Sequence, residues 1–250
     1  MRRAQRLLAS LHRTDHRPWP VPTVPWTWRQ CWRDLLFAHW PVSADHLRAH
    51  VPESPQLSEF DGTAWLGVVP FRMTGVMRRP LPDLPWLSAF PELNVRTYVE
   101  YRGRPGVWFF SLDATNALAV WAARRWFHLP YHRARMRCAR QGDRVEYRAL
   151  RRSGDVGFRG SYGPTSAPYE AAPGSLEHWL TERYCLFAVA PDGVVRRTEV
   201  HHVPWPLQRA SAEIEENTMA RPVGLPLAGA PVLLHFAERL DVVVWSPEVV

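Results

Sequence analysis

The sequence predicts a mainly β fold of the α+β class, with antiparallel strands and a few peripheral helices. Three observations lead to this prediction. Short runs of alternating or apolar residues recur along the chain, tight turns such as QGD and PDG separate neighbouring runs, and few segments have helical spacing. With 250 residues, of which 46% are hydrophobic, the chain is long enough to bury a substantial core.

The chain divides into an N-terminal extension and one domain. Residues 1–24 are predicted to be a partly helical extension, because their leucines are interrupted by His12 and Arg13. This apolar stretch is too short for a signal peptide or a membrane span. Residues 25–250 contain no repeat and no flexible linker, so we expect a single domain there.

Each element of the first half follows from local pattern. Ser43 and Pro52 are predicted to begin and end a short helix, which follows a strand at residues 25–42. TAWLGVVPF is apolar on both alternating faces, which is typical of a strand buried on both sides. The order is a strand (25–42), a helix (43–52), a strand (63–71), a proline-rich loop (77–92) and a hairpin (94–101 and 106–113).

The second half is predicted in the same way. A helix at ATNALAVWAARRWFHLPY has Asp113 or Thr115 as its N-cap and ends at Pro130. The remaining elements are a hairpin (132–140 and 144–152), a loop (160–174), a helix (176–183), a hairpin (183–190 and 194–205), a helix at AEIEEN (212–217) and a strand (232–246).

The strand at residues 94–101 has an unusual polar face. Asn94, Arg96, Tyr98 and Glu100 alternate along it, beside an apolar partner strand. We interpret this face as the wall of a polar pocket inside the β structure. A buried arginine needs a counter-charge, so Arg96 is expected to pair with Glu92, Glu100 or Glu199. A ligand site and a closed structural ion pair are both consistent with this pattern.

The charged residues exclude one class of chemistry. All 31 basic residues are arginine and the chain contains no lysine, so no lysine Schiff base can form. The cysteines, Cys31, Cys138 and Cys185, are odd in number and widely spaced, which favours reduced thiols and a cytoplasmic location.

Arginines are concentrated between Arg124 and Arg159, where eleven of them occur. An arginine-rich segment of this kind, which contains the Arg133–Arg159 hairpin, can bind nucleic acids or anionic surfaces. The strict alternation of arginine with apolar residues instead favours a solvent-facing strand pair. Since no nucleic-acid-binding motif accompanies the charge, the sequence disfavours nucleic acid as a partner.

The sequence predicts neither a metal site nor a cofactor. It has no Cys-x-x-Cys and no His-Glu-x-x-His pattern. His201 and His202 are adjacent and therefore point to opposite faces of a strand, whereas Pro130 separates His128 from His132. No nucleophile elbow is present, and Cys185 within RYCLF is typical of a small core residue.

Several stretches together resemble one family. They are FAHWPV, HLRAHVP, DGTAWLGVVPF, ELNVRTYV, GVWFFSLDA, LPY, GSLEHWLTERYCLF and HHVPWPLQ. These stretches, spread from about Trp28 to Trp245, resemble the YqjF-like family of uncharacterised bacterial proteins. That family is similar, more remotely, to the acetoacetate decarboxylase superfamily.

The resemblance implies an antiparallel β-cone or barrel whose interior is a small-molecule pocket. In the decarboxylases, paired lysines form the Schiff base; their place falls near residues 129–135, where this chain has LPYHRAR. Arginine cannot replace them, because its guanidinium stays protonated. Glu92 matches the family's glutamate, and Arg33 aligns weakly with its anion-binding arginine.

These considerations define the predicted site. The candidate catalytic residues are Glu92, Tyr131 and His132, and the candidate ligand-binding residues are Asn94, Arg96, Tyr98, Trp65, Phe109 and Trp205. The expected partner is a small carboxylate or oxo acid. Two hypotheses use this pocket: a non-covalent lyase, hydratase or isomerase, and a non-catalytic sensor or carrier. A third is an anionic-surface or nucleic-acid binder that uses the arginine hairpin.

Overall fold

The computed structural model describes residues 9–81, 88–225, 227 and 229–250. The strands in this part of the chain are β1 Trp28–Val42, β2 Gln56–Leu57, β3 Ala64–Arg78, β4 Phe90–Tyr101, β5 Arg104–Ala114, β6 Tyr131–Gln141, β7 Arg144–Arg151, β8 Gly157–Pro164, β9 Cys185–Val189, β10 Val195–His201, β11 Gln208–Asn217, β12 Leu233–Val244 and β13 Glu248–Val249. The helices are α1 Ala44–Arg48, α2 Ala117–Phe127 and α3 Leu176–Thr181, with a 3-10 turn at Arg221–Val223. The predicted mainly β class is therefore confirmed.

The strands form one sheet that closes on itself twice. The order is β13-β10-β9-β5-β6-β7-β8-β11-β12-β1-β3-β4-β2, and β4 also pairs with β5 while β10 also pairs with β12. Strands β12, β1, β3, β4 and β5 therefore belong to two rings, one completed by β9 and β10 and the other by β6, β7, β8 and β11. All pairings are antiparallel except β5 with β6 and β5 with β9.

The five shared strands are buried on both faces, and the two-residue period of a strand sorts their side chains between two cores. On β4, Leu93 and Val95 pack with Tyr147 and Tyr162 in the ring of β6, β7, β8 and β11. Glu92, Asn94 and Arg96, on the opposite face, point into the other ring. Burial on both faces explains why β4 carries polar side chains on one face and apolar side chains on the other.

Two predicted elements were wrong. AEIEEN is part of strand β11 and not a helix, since Ala212 and Ile214 pack inward while Glu213 and Glu215 face solvent. The predicted loop at 160–174 begins with strand β8. Gly160 is required there by close backbone packing, because a Cβ would lie 2.6 Å from the carbonyl oxygen of Glu213.

The N-cap of helix α2 is neither of the predicted residues, and lies one residue after Thr115 and three after Asp113. Asn116 is the N-cap, and its side chain accepts hydrogen bonds from the backbone N–H groups of Leu118 and Ala119. Asp113 instead forms a buried ion pair with Arg151, with an Nε–Oδ1 distance of 2.7 Å. None of the described helices has the length and apolar character required to span a membrane.

The described part of the N-terminal segment packs against the barrel. Residues 9–12 are helical, and Leu11 packs against the cluster of Val243 and Trp245 at the end of β12. The Arg17 guanidinium donates to Glu199 at 3.0 Å and to the carbonyl oxygen of Val200 at 2.6 Å. Of the predicted proline-rich loop, residues 82–87 lie outside the described residues.

Candidate functional site

The ring completed by β9 and β10 encloses a cavity of about 170 Å³. Strands β1, β3, β4, β5, β9 and β10 and helix α2 all contribute to its wall, which is mostly aromatic and aliphatic. Trp32 and Trp205 stack with their ring centres 5.6 Å apart, and the ring of Phe37 meets Trp205 edge-on. A largely apolar cavity with a few polar groups is the usual form of a small-molecule site.

The first polar feature of the cavity is an acid pair, the hydrogen-bonded side chains of Tyr131 and Glu92. The Tyr131 hydroxyl donates a hydrogen bond to Oε2 of Glu92 at 2.8 Å, and both side chains line the cavity. Burial raises the pKa of Glu92 to about 8, the hydrogen bond from Tyr131 partly opposes this shift, and the charge of Asp113 adds to it. The Glu92 carboxyl is therefore protonated at neutral pH.

The second polar feature is Arg96, two positions beyond Asn94 on the same face of β4. Its guanidinium carbon lies 5.0 Å from the ring centre of Phe37 and 5.7 Å from that of Tyr98. The expected ion pair is absent among the described residues: Glu92 is bound by Tyr131, Glu199 by three other arginines, and Glu100 is exposed. Arg96 is 9% exposed, and its Nε has no hydrogen-bond partner there.

A second cationic side chain, Arg183, lines the same cavity from the segment between α3 and β9. Its Nε donates to the carbonyl oxygen of Trp179 at 2.6 Å, while its Nη2 has no partner in the described part of the chain. Burial, with a further contribution from the Arg96 charge, lowers the pKa of Arg183 to about 10. Sequence reasoning missed this residue. The sequence did contain a signal for it. Arg183 lies two residues before Cys185, so the two side chains share one face of the predicted strand.

Other unpartnered polar atoms lie between these features. Oδ1 of Asn94 and Nε1 of Trp205 are buried without hydrogen-bond partners among the described residues. His202 lines the cavity with its Nδ1 2.7 Å from the carbonyl oxygen of Val203, and burial lowers its pKa. The neighbouring His201 contacts the carbonyl oxygen of Ser10 in the N-terminal segment, away from the cavity.

The structure brings six of the nine predicted site residues together. They are Glu92, Asn94, Arg96, Phe109, Tyr131 and Trp205. Tyr98 instead forms a 2.6 Å hydrogen bond with Nε2 of His39, and Trp65 packs beside it. His132, adjacent to Tyr131 on β6, points to the other face. Arg33 does not line the cavity either.

One thiol also reaches the cavity. Cys185 lines the cavity, but burial raises the pKa of its thiol to about 12, so it is not a thiolate. No group of three or more His, Cys, Asp and Glu side chains in the described ranges is arranged to hold a metal ion.

Comparison with known proteins shows the family to which the chain belongs. The DUF2071 family, described as an uncharacterized conserved protein, matches residues 29–241. The chain is also 46% identical over 226 residues to "Uncharacterized protein YqjF" of Bacillus subtilis (strain 168), which covers 90% of this chain and 93% of that protein.

The fold is shared with solved structures of low sequence identity. Acetoacetate decarboxylase from Legionella pneumophila superposes with a TM-score of 0.64 at 16% identity, over 97% of this chain and 95% of that one. The enduracididine biosynthesis enzyme MppR in complex with pyruvate superposes with a TM-score of 0.64 at 12% identity, over 95% of this chain and 94% of that one. The chain therefore belongs to the DUF2071 family and has an acetoacetate decarboxylase-like fold.

Proposed function

We propose that this protein binds a small carboxylate or oxo acid in the cavity between Glu92 and Arg96, and acts on it without a covalent imine. The observation that carries the proposal is the buried Arg96 guanidinium without an acidic partner among the described residues. A buried, unpaired charge is costly, and an anionic ligand supplies the missing partner. The absence of lysine from the chain excludes a lysine imine.

The acid pair at Glu92 favours an enzyme over a pure carrier. Arg96 lies four positions after Glu92 on extended strand, which is about 13 Å along β4. An acid anchored at Arg96 therefore extends past Asn94 towards Glu92. Because its pKa is about 8, Glu92 can give and take a proton near neutral pH, as a lyase, hydratase or isomerase requires. The solved complex of MppR with pyruvate is a precedent for an oxo acid in this fold.

A sensor or carrier is the second candidate function, because the same contacts bind a ligand without transforming it. The third hypothesis receives less support. The arginine hairpin does form an exposed face, with Arg137, Arg148 and Arg159 in register across β6, β7 and β8. Arg159 on this face is paired with Glu215, however, and the cavity provides the more specific arrangement.

The test is a screen of 2-oxo and 3-oxo acids, including pyruvate and acetoacetate, for thermal stabilisation and for turnover monitored by NMR. We expect at least one acid to raise the melting temperature of the natural protein and to lose this effect with Arg96→Gln. Arg135→Gln is the matched control, since it removes the same charge from an exposed strand position. Turnover that Glu92→Gln abolishes identifies an enzyme, and stabilisation alone identifies a sensor or carrier. Equal responses of Arg96→Gln and Arg135→Gln would refute the proposal.

A further inference from the structure

The cavity contains two buried guanidiniums, although a simple monocarboxylate needs only one. Arg96 reaches it from β4, and Arg183 reaches it from the chain just before β9. Their guanidinium carbons lie 5.7 Å and 5.2 Å from the ring centre of Tyr98, so one tyrosine contacts both cations. Tyr98 is held in place by its hydrogen bond to His39.

No carboxylate in the described part of the chain neutralises this pair. Neither arginine forms an ion pair there, and each has a buried N–H group without a partner, at Nε of Arg96 and Nη2 of Arg183. Glu100, whose charge acts on Arg183, is exposed to solvent. Glu92 lies four positions before Arg96 on β4, and with a pKa of about 8 it is mostly protonated at neutral pH.

Two like charges in an apolar cavity repel each other and have lost their hydration. Cation–π contacts with Phe37, Tyr98 and Trp179 compensate for part of this cost. They supply no negative charge. The described residues therefore leave an excess of two positive charges at this end of the cavity, and a ligand with two negative charges matches it.

We infer that the ligand of this site is a small dicarboxylate, one carboxylate of which binds Arg96 and the other Arg183. This inference rests on the proposed function and narrows its ligand class. The remainder of the molecule lies against Asn94 and the aromatic wall, and a carbonyl or hydroxyl on it faces the Glu92–Tyr131 pair. Arg183 is in this view a specificity-determining residue, whereas Arg96 is required for any carboxylate.

The experiment compares dicarboxylates with their half-amides, in which a neutral amide replaces one carboxylate without changing the shape. Dissociation constants of succinate and succinamate, and of glutarate and glutaramate, are measured by calorimetry at fixed ionic strength. For the natural protein we expect at least one dicarboxylate to bind about tenfold more tightly than its half-amide, as expected for one additional charge-assisted hydrogen bond.

Variants of Arg183 show whether this residue causes the difference in affinity between a dicarboxylate and its half-amide. In Arg183→Gln the preference for the dicarboxylate should fall to about twofold or less, while the half-amide affinity changes little. Arg183→Lys retains the charge and should retain most of the preference. Tryptophan fluorescence verifies that both variants fold, and Arg135→Gln controls for net charge.

The inference is overturned if succinamate and glutaramate bind the natural protein as tightly as the dicarboxylates. It is also overturned if a folded Arg183→Gln keeps the full preference. In both cases the proposed function still stands, provided that carboxylates bind and need Arg96. If no carboxylate binds, or if Arg96→Gln binds them as the natural protein does, the proposed function fails as well.

Discussion

Replacing Glu92 by glutamine should make the protein less sensitive to alkaline pH. The carboxyl has a pKa of about 8 in the folded chain against an ordinary value of 4.5. Since the folded state holds this proton more tightly than the unfolded state, Glu92 contributes stability at low pH that is lost as pH rises from 4.5 to 8. Glutamine has the same shape and carries no charge, and its Oε1 still accepts the hydrogen bond from Tyr131.

The magnitude follows from the two pKa values. Between pH 6.5 and pH 8.5 the free energy of unfolding of the natural protein should fall by about 2 kcal/mol more than that of Glu92→Gln. The buried histidines contribute equally to both proteins. Burial lowers the pKa of His39 and of His202, so their contribution to stability increases with pH until their imidazoles are neutral in the unfolded state as well, and it cancels between the natural protein and Glu92→Gln.

The assay is urea unfolding followed by tryptophan fluorescence at pH 6.5 and pH 8.5 for both proteins. The comparison cancels the groups that titrate identically in the two chains. If the free energies of unfolding of the two proteins change in parallel across this window, Glu92 is ionised in the folded state. The proposed role of Glu92 as an acid at neutral pH would then be wrong.

Three further substitutions test the packing that holds the site in place, each by the same urea assay. Asp113→Asn should cost about 3 kcal/mol, because it leaves Arg151 buried without its counter-charge; a loss below 1 kcal/mol would show that the pair is dispensable. Asn116→Ala should cost about 1 kcal/mol by removing the N-cap of α2, whereas Asn116→Ser should recover most of it. Gly106→Ala should cost about 2 kcal/mol, because the new Cβ would lie 2.6 Å from the Phe187 ring; an unchanged stability would contradict this packing.

The strands and hairpins were predictable because their period and turns are local features. AEIEEN was misread for the same reason. Its glutamates have helical propensity. In the structure the segment instead pairs with β8, and its alternating apolar residues pack on the core. Strand β8 was missed because Gly160 and Gly163, which usually indicate loops, are needed there for close contact between strands.

The candidate site was predictable where one strand carries it. Glu92, Asn94 and Arg96 share a face of β4, and alternation alone indicated this. That no acid among the described residues pairs with Arg96 was not predictable, since it depends on which residues the second ring closure brings near Arg96. Arg183 was missed because the pattern does not show that its face lines a cavity, which follows from the pairing of β9 with β5. Tyr98 has the right periodicity, but its hydroxyl is bound by His39.

The most direct test of the central claim is the stability of Arg96→Met without ligand. If the guanidinium is an unpaired cation kept for an anionic ligand, a methionine that fills the same space against Phe37 should increase the free energy of unfolding by about 1–3 kcal/mol. The same variant should no longer be stabilised by any carboxylate. A loss of stability comparable to that expected for Asp113→Asn would show that Arg96 is structural, and would contradict the account.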